Sequence, residues 1–528
     1  MPTRTLTANR GIRSKPVQFT TAAPRGRRLR SRADRTCRGR CFGARRAEVA
    51  ASIICSSAEG STVHVPVGRQ EGNGTIYNPE HQLEEVKQIS SRKMSSPRRL
   101  QVLLLLAYYC STSTHIAASG GNGTTVQCLP DQAASLLQLK HSFYKPNLSS
   151  WEHGTDCCHW EGVICNRASG QVITLDLSDR NLQSISGLSP TLFNLTSLRN
   201  LSLSGNDFGL TNLPRFGFER LIELLSLDLS NTRFSGQIPI GIAHLENLLT
   251  LDLSDNDLYL REPSFRNLIA NMSNPRSLYL DFVQILSDGS TWSIALADSV
   301  PLLQDISLIL CGVSGPIHHS FSQLHFLATI NLAGNGISGQ VPSFFAQFSF
   351  LRYLMLFGND FEGQFPTKIF QLANLTYLDV SYNPSLSVQL PDFPPGNILG
   401  SLDLRETNLS VAIPNSLFHL DSLKALRLST TGFPKHLITS IANLTSLEEL
   451  WLSGSGIEKP ALSWIASLKN LTGLMLKDYN FSGPIPWWIR NCTNLTGLRL
   501  GSSNLSGEIP TWIGNLTKLS SWIYQVID

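Results

Sequence analysis

The chain has 528 residues, 42% of them hydrophobic and 16% charged, enough apolar material for a core and too much for a mainly disordered protein. Its net charge of +4 joins two opposite populations: residues 1–93 carry 18 basic and 7 acidic side chains, residues 94–119 add two arginines, and residues 120–528 carry 23 basic against 32 acidic. The basic balance belongs to the head alone, so overall charge gives no ground for a nucleic-acid partner.

In the head, Arg25, Arg27, Arg28, Arg30, Arg32, Arg35, Arg38 and Arg40 crowd together with no apolar period of 3.6 or 2, which predicts an unfolded segment over residues 1–93. It reads best as sequence upstream of the functional start; an organelle transit peptide or a nucleic-acid-binding arm are its functional alternatives. Cys37, Cys41 and Cys55 lack the spacing and the nearby histidine of a zinc site. From Met94 the layout changes. Arg98 and Arg99 precede an apolar run from Leu100 to about Tyr109, and the small residues Ala117, Ala118 and Ser119 follow. Basic flank, short apolar core and small residues make residues 94–119 a secretory signal peptide, cleaved near Ala117 to Gly120. The apolar run is too short for a membrane helix, which needs roughly 20 residues.

Residues 120–171 contain Cys128-Leu-Pro-Asp-Gln-Ala-Ala-Ser-Leu-Leu-Gln-Leu-Lys140, then Ser150-Trp151 and Asp156-Cys-Cys-His-Trp-Glu-Gly-Val-Ile-Cys165. Four cysteines allow three pairings, and spacing does not choose among them. Disulfides fit the exported route that the signal peptide implies.

From residue 172 the pattern L-x-x-L-x-L-x-x-N-x-L recurs, often continued as S-G-x-I-P. Its first apolar position falls at Val172, Leu198, Leu224, Leu248, Pro275, Leu303, Leu327, Leu351, Leu375, Leu399, Leu423, Leu447, Leu471, Leu495 and Leu519; the last nine intervals are all 24. A length that would suggest three or four domains at about 150 residues each is thereby redirected. A period of 20 to 29 with this template predicts a leucine-rich-repeat solenoid, an α/β-type repeat superhelix with a parallel concave sheet, over residues 172–518, with an incomplete repeat at 519–528.

The template explains itself position by position. Alternation around Leu354 and Leu356 predicts a short strand with leucines inward and Tyr353, Met355 and Phe357 outward. Asn206, Asn256, Asn335, Asn359 and Asn383 then turn the chain, each with an amide able to satisfy buried backbone groups. Thr232, Cys311, Thr407, Thr431 and Ser455 replace that amide with smaller groups. Phrases such as Gly339-Gln-Val-Pro342 and Gly363-Gln-Phe-Pro366 bend and stiffen the return path. The stretch from Asn271 to Pro301 is irregular. Cys311 and Cys492 read as isolated buried thiols.

The L-S-G-x-I-P half of the repeat resembles the plant-specific class of extracellular leucine-rich repeats, and residues 120–171 resemble the amino-terminal cap of plant leucine-rich-repeat receptors. A cap has a physical reason, since a first repeat otherwise exposes its apolar end. The resemblance implies the pairs Cys128–Cys157 and Cys158–Cys165. Residues 128–519 together are similar to the ectodomains of plant receptor-like proteins of disease resistance, nearest the Verticillium wilt resistance type. That family implies an extracellular peptide or protein ligand, co-receptor kinases with their own leucine-rich repeats, and a plasma-membrane location. Membrane attachment there runs through a carboxy-terminal helix, which this sequence does not contain; ending inside a repeat, it reads as a truncated ectodomain that would itself be extracellular.

No P-loop, H-E-x-x-H, G-x-S-x-G, H-R-D or D-F-G pattern occurs, so no catalytic residue, metal site or cofactor is expected. His318 and His319 read as surface residues. Asp176, Asp228, Asp252, Asp379 and Asp403 recur between strand leucines as repeat consensus and predict an acidic, solvated stripe. Ligand recognition is expected on the concave face, on the order of 65 Å long for strands about 4.8 Å apart, where side chains are free of core demands. Tyr353, Met355, Phe357, Arg405, Arg427, Trp451, Met475, Lys477 and Arg499 depart there from the Asp/Ser consensus, and aromatic and arginine side chains are common binding hot spots. Asn147, Asn194, Asn374, Asn443, Asn470, Asn494 and Asn515 head N-x-S/T sequons and are candidate glycosylation sites, many placed just before a strand. The functional expectation is a non-catalytic recognition module in defence that signals through partner kinases. The alternative is a secreted inhibitor of a microbial enzyme, similar to polygalacturonase-inhibiting proteins.

Overall fold

The computed structural model describes residues 126–524, apart from short gaps at 262, 273, 286, 288, 411, 430–439, 455–458, 479–480, 482 and 502–504. The basic head, the signal peptide, Cys37, Cys41, Cys55, Thr431 and Ser455 lie outside the described residues.

The period of 24 becomes a sheet. Sixteen strands pair in chain order from Val163–Cys165 to Ser521–Tyr524 among the described residues. The first pair is antiparallel; every later neighbour is parallel. Register is strict because one face is buried and a one-residue slip would turn every leucine outward. Leu354, Leu378, Leu402, Leu426, Leu450, Leu474 and Leu498 therefore stand side by side. These leucines are at most 1% exposed, within one core that runs from Leu136 to Leu516. Each buried leucine contributes about 1.5–3 kcal/mol, summed repeat by repeat.

The return segments carry more structure than their sequence announced. Most contain a short 3-10 turn such as Ser343–Gln347 or Thr367–Gln371. The S-G-x-I-P phrases pair into a second, five-stranded parallel sheet that includes Gly336–Gln340 and Asp360–Gln364. Gly315 shows why glycine is used there: its φ is +74°, and a Cβ would meet Gly289 Cα at 2.5 Å. Besides α1 (Pro130–His141) in the cap, the chain has α2 (Phe265–Ile269) just before the irregular stretch and α3 (Thr291–Ser299) within it. The longer intervals around Pro275 and Leu303 are where α2 and α3 replace the usual 3-10 turn, with Trp292 wholly buried.

The asparagine positions do what their chemistry suggests. Asn206 Nδ2 donates to the Leu177 and Leu203 carbonyls, both at 2.8 Å, while its Oδ1 accepts from the Leu182 amide at 2.9 Å. Asn256, Asn359 and Asn383 repeat the scheme. Thr232 and Thr407 each keep a hydroxyl bond to the carbonyl three residues back, at 2.6 and 2.7 Å, and Thr232 Oγ1 also lies 2.9 Å from Asn256 Oδ1. Cys311 Sγ reaches the Leu280 carbonyl at 3.0 Å. Cys311 and Cys492 are free buried thiols; burial raises both, Cys492 to about 11.

In the cap the disulfides are Cys128–Cys157 and Cys158–Cys165, with Cα separations of 5.5 and 5.4 Å. Gln132 Oε1, on α1, accepts from the Val172 amide at 2.7 Å and so ties α1 to the first repeat. Trp151 and Trp160 stack at 5.4 Å beneath. Among the described residues no helix is long and apolar enough to cross a membrane.

Candidate recognition surface

Strict register lines up the outer face as well as the core. Met355, Asp379, Asp403, Arg427, Trp451, Met475 and Arg499 form one file across seven neighbouring strands. Tyr353, Tyr377, Ser401, Ala425 and Glu449 form a parallel file two residues earlier. Residues far apart in sequence thus meet at strand spacing, about 4.8 Å.

Trp451 is the centre. The Arg405 guanidinium lies 4.4 Å from its ring centroid, Arg427 lies 5.0 Å away and Arg499 6.0 Å. Cations gather there because the indole face is the negative end of its quadrupole. Carboxylates fix the arginines from the other side. Arg405 donates from Nε and Nη2 to Asp403 at 2.9 and 2.8 Å; Arg427 pairs with Asp403 at 3.6 Å and with Glu449 more closely. Burial alone would lower the Arg427 guanidinium, but the Asp403 and Glu449 carboxylates outweigh it and hold it above its ordinary value. Burial and the Asp379 charge raise the Tyr377 hydroxyl. Asp379 is pushed up to about 7, first by burial and then by Asp403, against hydrogen bonds from Ser381 and the charge of Arg405. One donor is left over: Arg427 Nε is buried without a hydrogen-bond partner.

The structure treats the other expected residues unevenly. Tyr353 and Met355 are half-buried on the same face, with Tyr353 6.4 Å from Tyr377. Met475 and Arg499 are half-buried in the Trp451 file, and Lys477 is exposed beside Asp478 at 3.9 Å. Phe357 departs from the expectation of a side chain without packing demands. It is 6% exposed in a small apolar cluster with Ile309 and Ala333, flanked by Phe282 and Leu310. Those residues occupy equivalent turns of neighbouring repeats, a coincidence visible only once the repeats are stacked.

The acidic stripe also needs correcting. Asp176 is exposed, but Asp252, Asp379 and Asp403 are 7%, 2% and 1% exposed. Each of the five carboxylates accepts from the amide two residues on, at 3.0–3.2 Å, and so closes the end of its own strand. The recurrent Asp is a local backbone cap. His318 is likewise half-buried, its Nδ1 accepting from the Ser320 amide at 3.2 Å, whereas His319 is exposed. The seven candidate glycosylation asparagines named above lie off the file of Trp451; Asn494 is half-buried and the other six are exposed.

Comparison with known proteins agrees with this architecture. Residues 129–166 match the leucine rich repeat N-terminal domain, and residues 223–245 and 494–516 match the Leucine Rich Repeat model. Receptor-like protein 6 of Arabidopsis thaliana is 27% identical over 362 residues, 63% of this chain and 30% of that protein. Receptor-like protein EIX1 of Solanum lycopersicum is 32% identical over 214 residues, 37% of this chain and 20% of that protein. The chain thus spans less than a third of the length of these relatives. Among solved structures, the leucine-rich-repeat ectodomain of the Arabidopsis receptor kinase HAESA, in complex with an IDA peptide hormone, superposes with a TM-score of 0.53 at 26% identity, covering 74% of this chain and 77% of that one. Cap, repeat and relatives agree on a capped leucine-rich-repeat fold, and the chain is similar to plant receptor-like proteins.

Proposed function

We propose that the chain is the extracellular recognition module of a plant receptor-like protein in defence, binding an extended peptide or protein segment across the sheet face around Trp451. The observation that carries this reading is the preorganised cluster of Arg405, Arg427 and Trp451. Three neighbouring repeats supply these side chains, and Asp403 and Glu449 hold the two arginines in place before any ligand arrives. Preorganisation lowers the ordering cost of binding, and tryptophan and arginine dominate interface hot spots. Likeness to an ectodomain bound to a peptide hormone supports a peptide-sized ligand.

On this reading the chain enters the secretory pathway through residues 94–119 and carries glycans at its exposed sequons. It signals through partner kinases with leucine-rich repeats of their own. The test is to pan a library of peptides of about 15 residues, which extended would span roughly 50 Å of the face, and to map the selected binders by hydrogen exchange. Protection of Ala425–Ser429, Glu449–Ser453 and Gly473–Lys477 is expected. Protection confined to the return segment Trp487–Asn491 would reject the surface.

A further inference from the structure

Three large apolar side chains are exposed along the edge from which the strands start. Phe326, Phe350 and Ile398 are 41%, 52% and 42% exposed, and each lies three residues ahead of a paired strand position: Thr329, Tyr353 and Ser401. The fourth member of that row is Asn374, three residues ahead of Tyr377, between Phe350 and Ile398. Phe326 and Phe350 stack with their centroids 6.2 Å apart. An apolar row on an exposed edge asks for a cover, and the polar residue set within it heads the sequon Asn374-Leu-Thr376.

Asn374 is aimed at its neighbour. Its Nδ2 donates to the Ser349 carbonyl at 2.8 Å, and Thr376 Oγ1 donates to the Arg352 carbonyl at 3.1 Å, so both sequon side chains cross to the residues flanking Phe350. The amide nitrogen has two hydrogens. One is spent on Ser349; the other is available for substitution.

We propose that Asn374 carries an N-linked glycan whose first sugars lie on the Phe350–Phe326 stack, covering the apolar edge from within the same chain. In the transfer the Nδ2–C1 bond forms as the C1–O bond to a polyprenyl diphosphate donor breaks. The diphosphate leaves with the electron pair, and the displaced amide proton passes to solvent. The remaining N–H keeps its bond to Ser349. Adjacent strands are about 4.8 Å apart, so the first ring hangs within reach of Phe350, and its C–H face meets the negative face of the aromatic ring. Asn470 supplies an internal control. Its Nδ2 makes the same bond to the preceding repeat, to Thr445 at 2.9 Å, but the row there offers Ser446 in place of a phenylalanine.

This inference rests on the extracellular reading above, and the experiment separates the two. The full chain is secreted from plant cells, its sequons are read by glycopeptide mass spectrometry, and the native protein is digested with a peptide-N-glycanase. Release from Asn374 should be roughly three- to tenfold slower than from Asn470, about what one aromatic contact supplies. In Phe350→Ser the Asn374 rate should rise to the Asn470 rate while Asn470 is unchanged, which also reports that the variant is folded. Modification at Asn470 with Asn374 bare, equal release rates in the native chain, or no response to Phe350→Ser overturns the glycan cradle alone. No modification at any sequon overturns the cradle and the extracellular reading together.

Discussion

Replacing Asn383 by alanine tests the physical basis of the repeat. Asn383 is fully buried; its Nδ2 donates to Leu356, Val380 and Ser381 carbonyls at 3.0, 3.0 and 3.1 Å, and its Oδ1 accepts from the Phe361 amide at 3.1 Å. The Leu356 carbonyl keeps a second donor in Asn359, so the main orphans in Asn383→Ala are the Val380 carbonyl and the Phe361 amide. At about 1–3 kcal/mol for each of these two buried unsatisfied groups, the cost is roughly 2–6 kcal/mol. Thr407→Ala removes one hydroxyl bond to Leu404 at a half-buried position and should cost about 1 kcal/mol. A stacked array need not unfold in two states, so native-state hydrogen exchange over residues 353–404 is the right assay. Protection should fall roughly 30-fold or more in Asn383→Ala and less than about tenfold in Thr407→Ala. Equal losses in the two variants would refute the account of the asparagine ladder.

Other expectations follow from the same geometry. Asp379 titrates near 7 in the folded chain and near its ordinary value, about 3.9, when unfolded. Between those values the unfolded state holds fewer protons, so this group makes stability fall as pH rises from about 4 to 7, then level off. Asp379→Asn should flatten that slope in urea melts at stepped pH. Reducing the cap disulfides should cost about 2–4 kcal/mol and first expose amides around Val172–Asp176, seen by hydrogen exchange after mild reduction. Arg427→Ala leaves Asp403 and Glu449 without a shared cation and should destabilise by about 3–5 kcal/mol; Arg427→Ala with Glu449→Gln should recover part of that loss in the same melts.

What the sequence made legible was whatever a single repeat decides. The strand leucines, the turn asparagines and the solenoid itself follow from one template read fifteen times. The cap pairing came from resemblance, since spacing left three options open. What stayed hidden depends on stacking. Phe357 looks outward within its own repeat, and only Ile309 and Ala333 in neighbouring repeats make it part of a cluster. Arg427 finds Glu449 one strand over, 22 residues along. The second sheet arises because successive S-G-x-I-P segments lie side by side, and no one of them has a strand's alternation. Helices α2 and α3 fall where the spacing lengthens, a signal present in the intervals but silent about what fills them.

The central claim, that recognition occurs on the sheet face, is tested most directly by two tryptophans on opposite sides of a repeat. Trp451 lies in the strand file beneath Arg405 and Arg427; Trp487 is 60% exposed on a return segment beside Arg490. Titrating a peptide selected against the chain into Trp451→Ala and Trp487→Ala should show at least a tenfold weakening in the first, about 1.4 kcal/mol, and none in the second. Unchanged affinity in Trp451→Ala, or loss only in Trp487→Ala, would contradict the account.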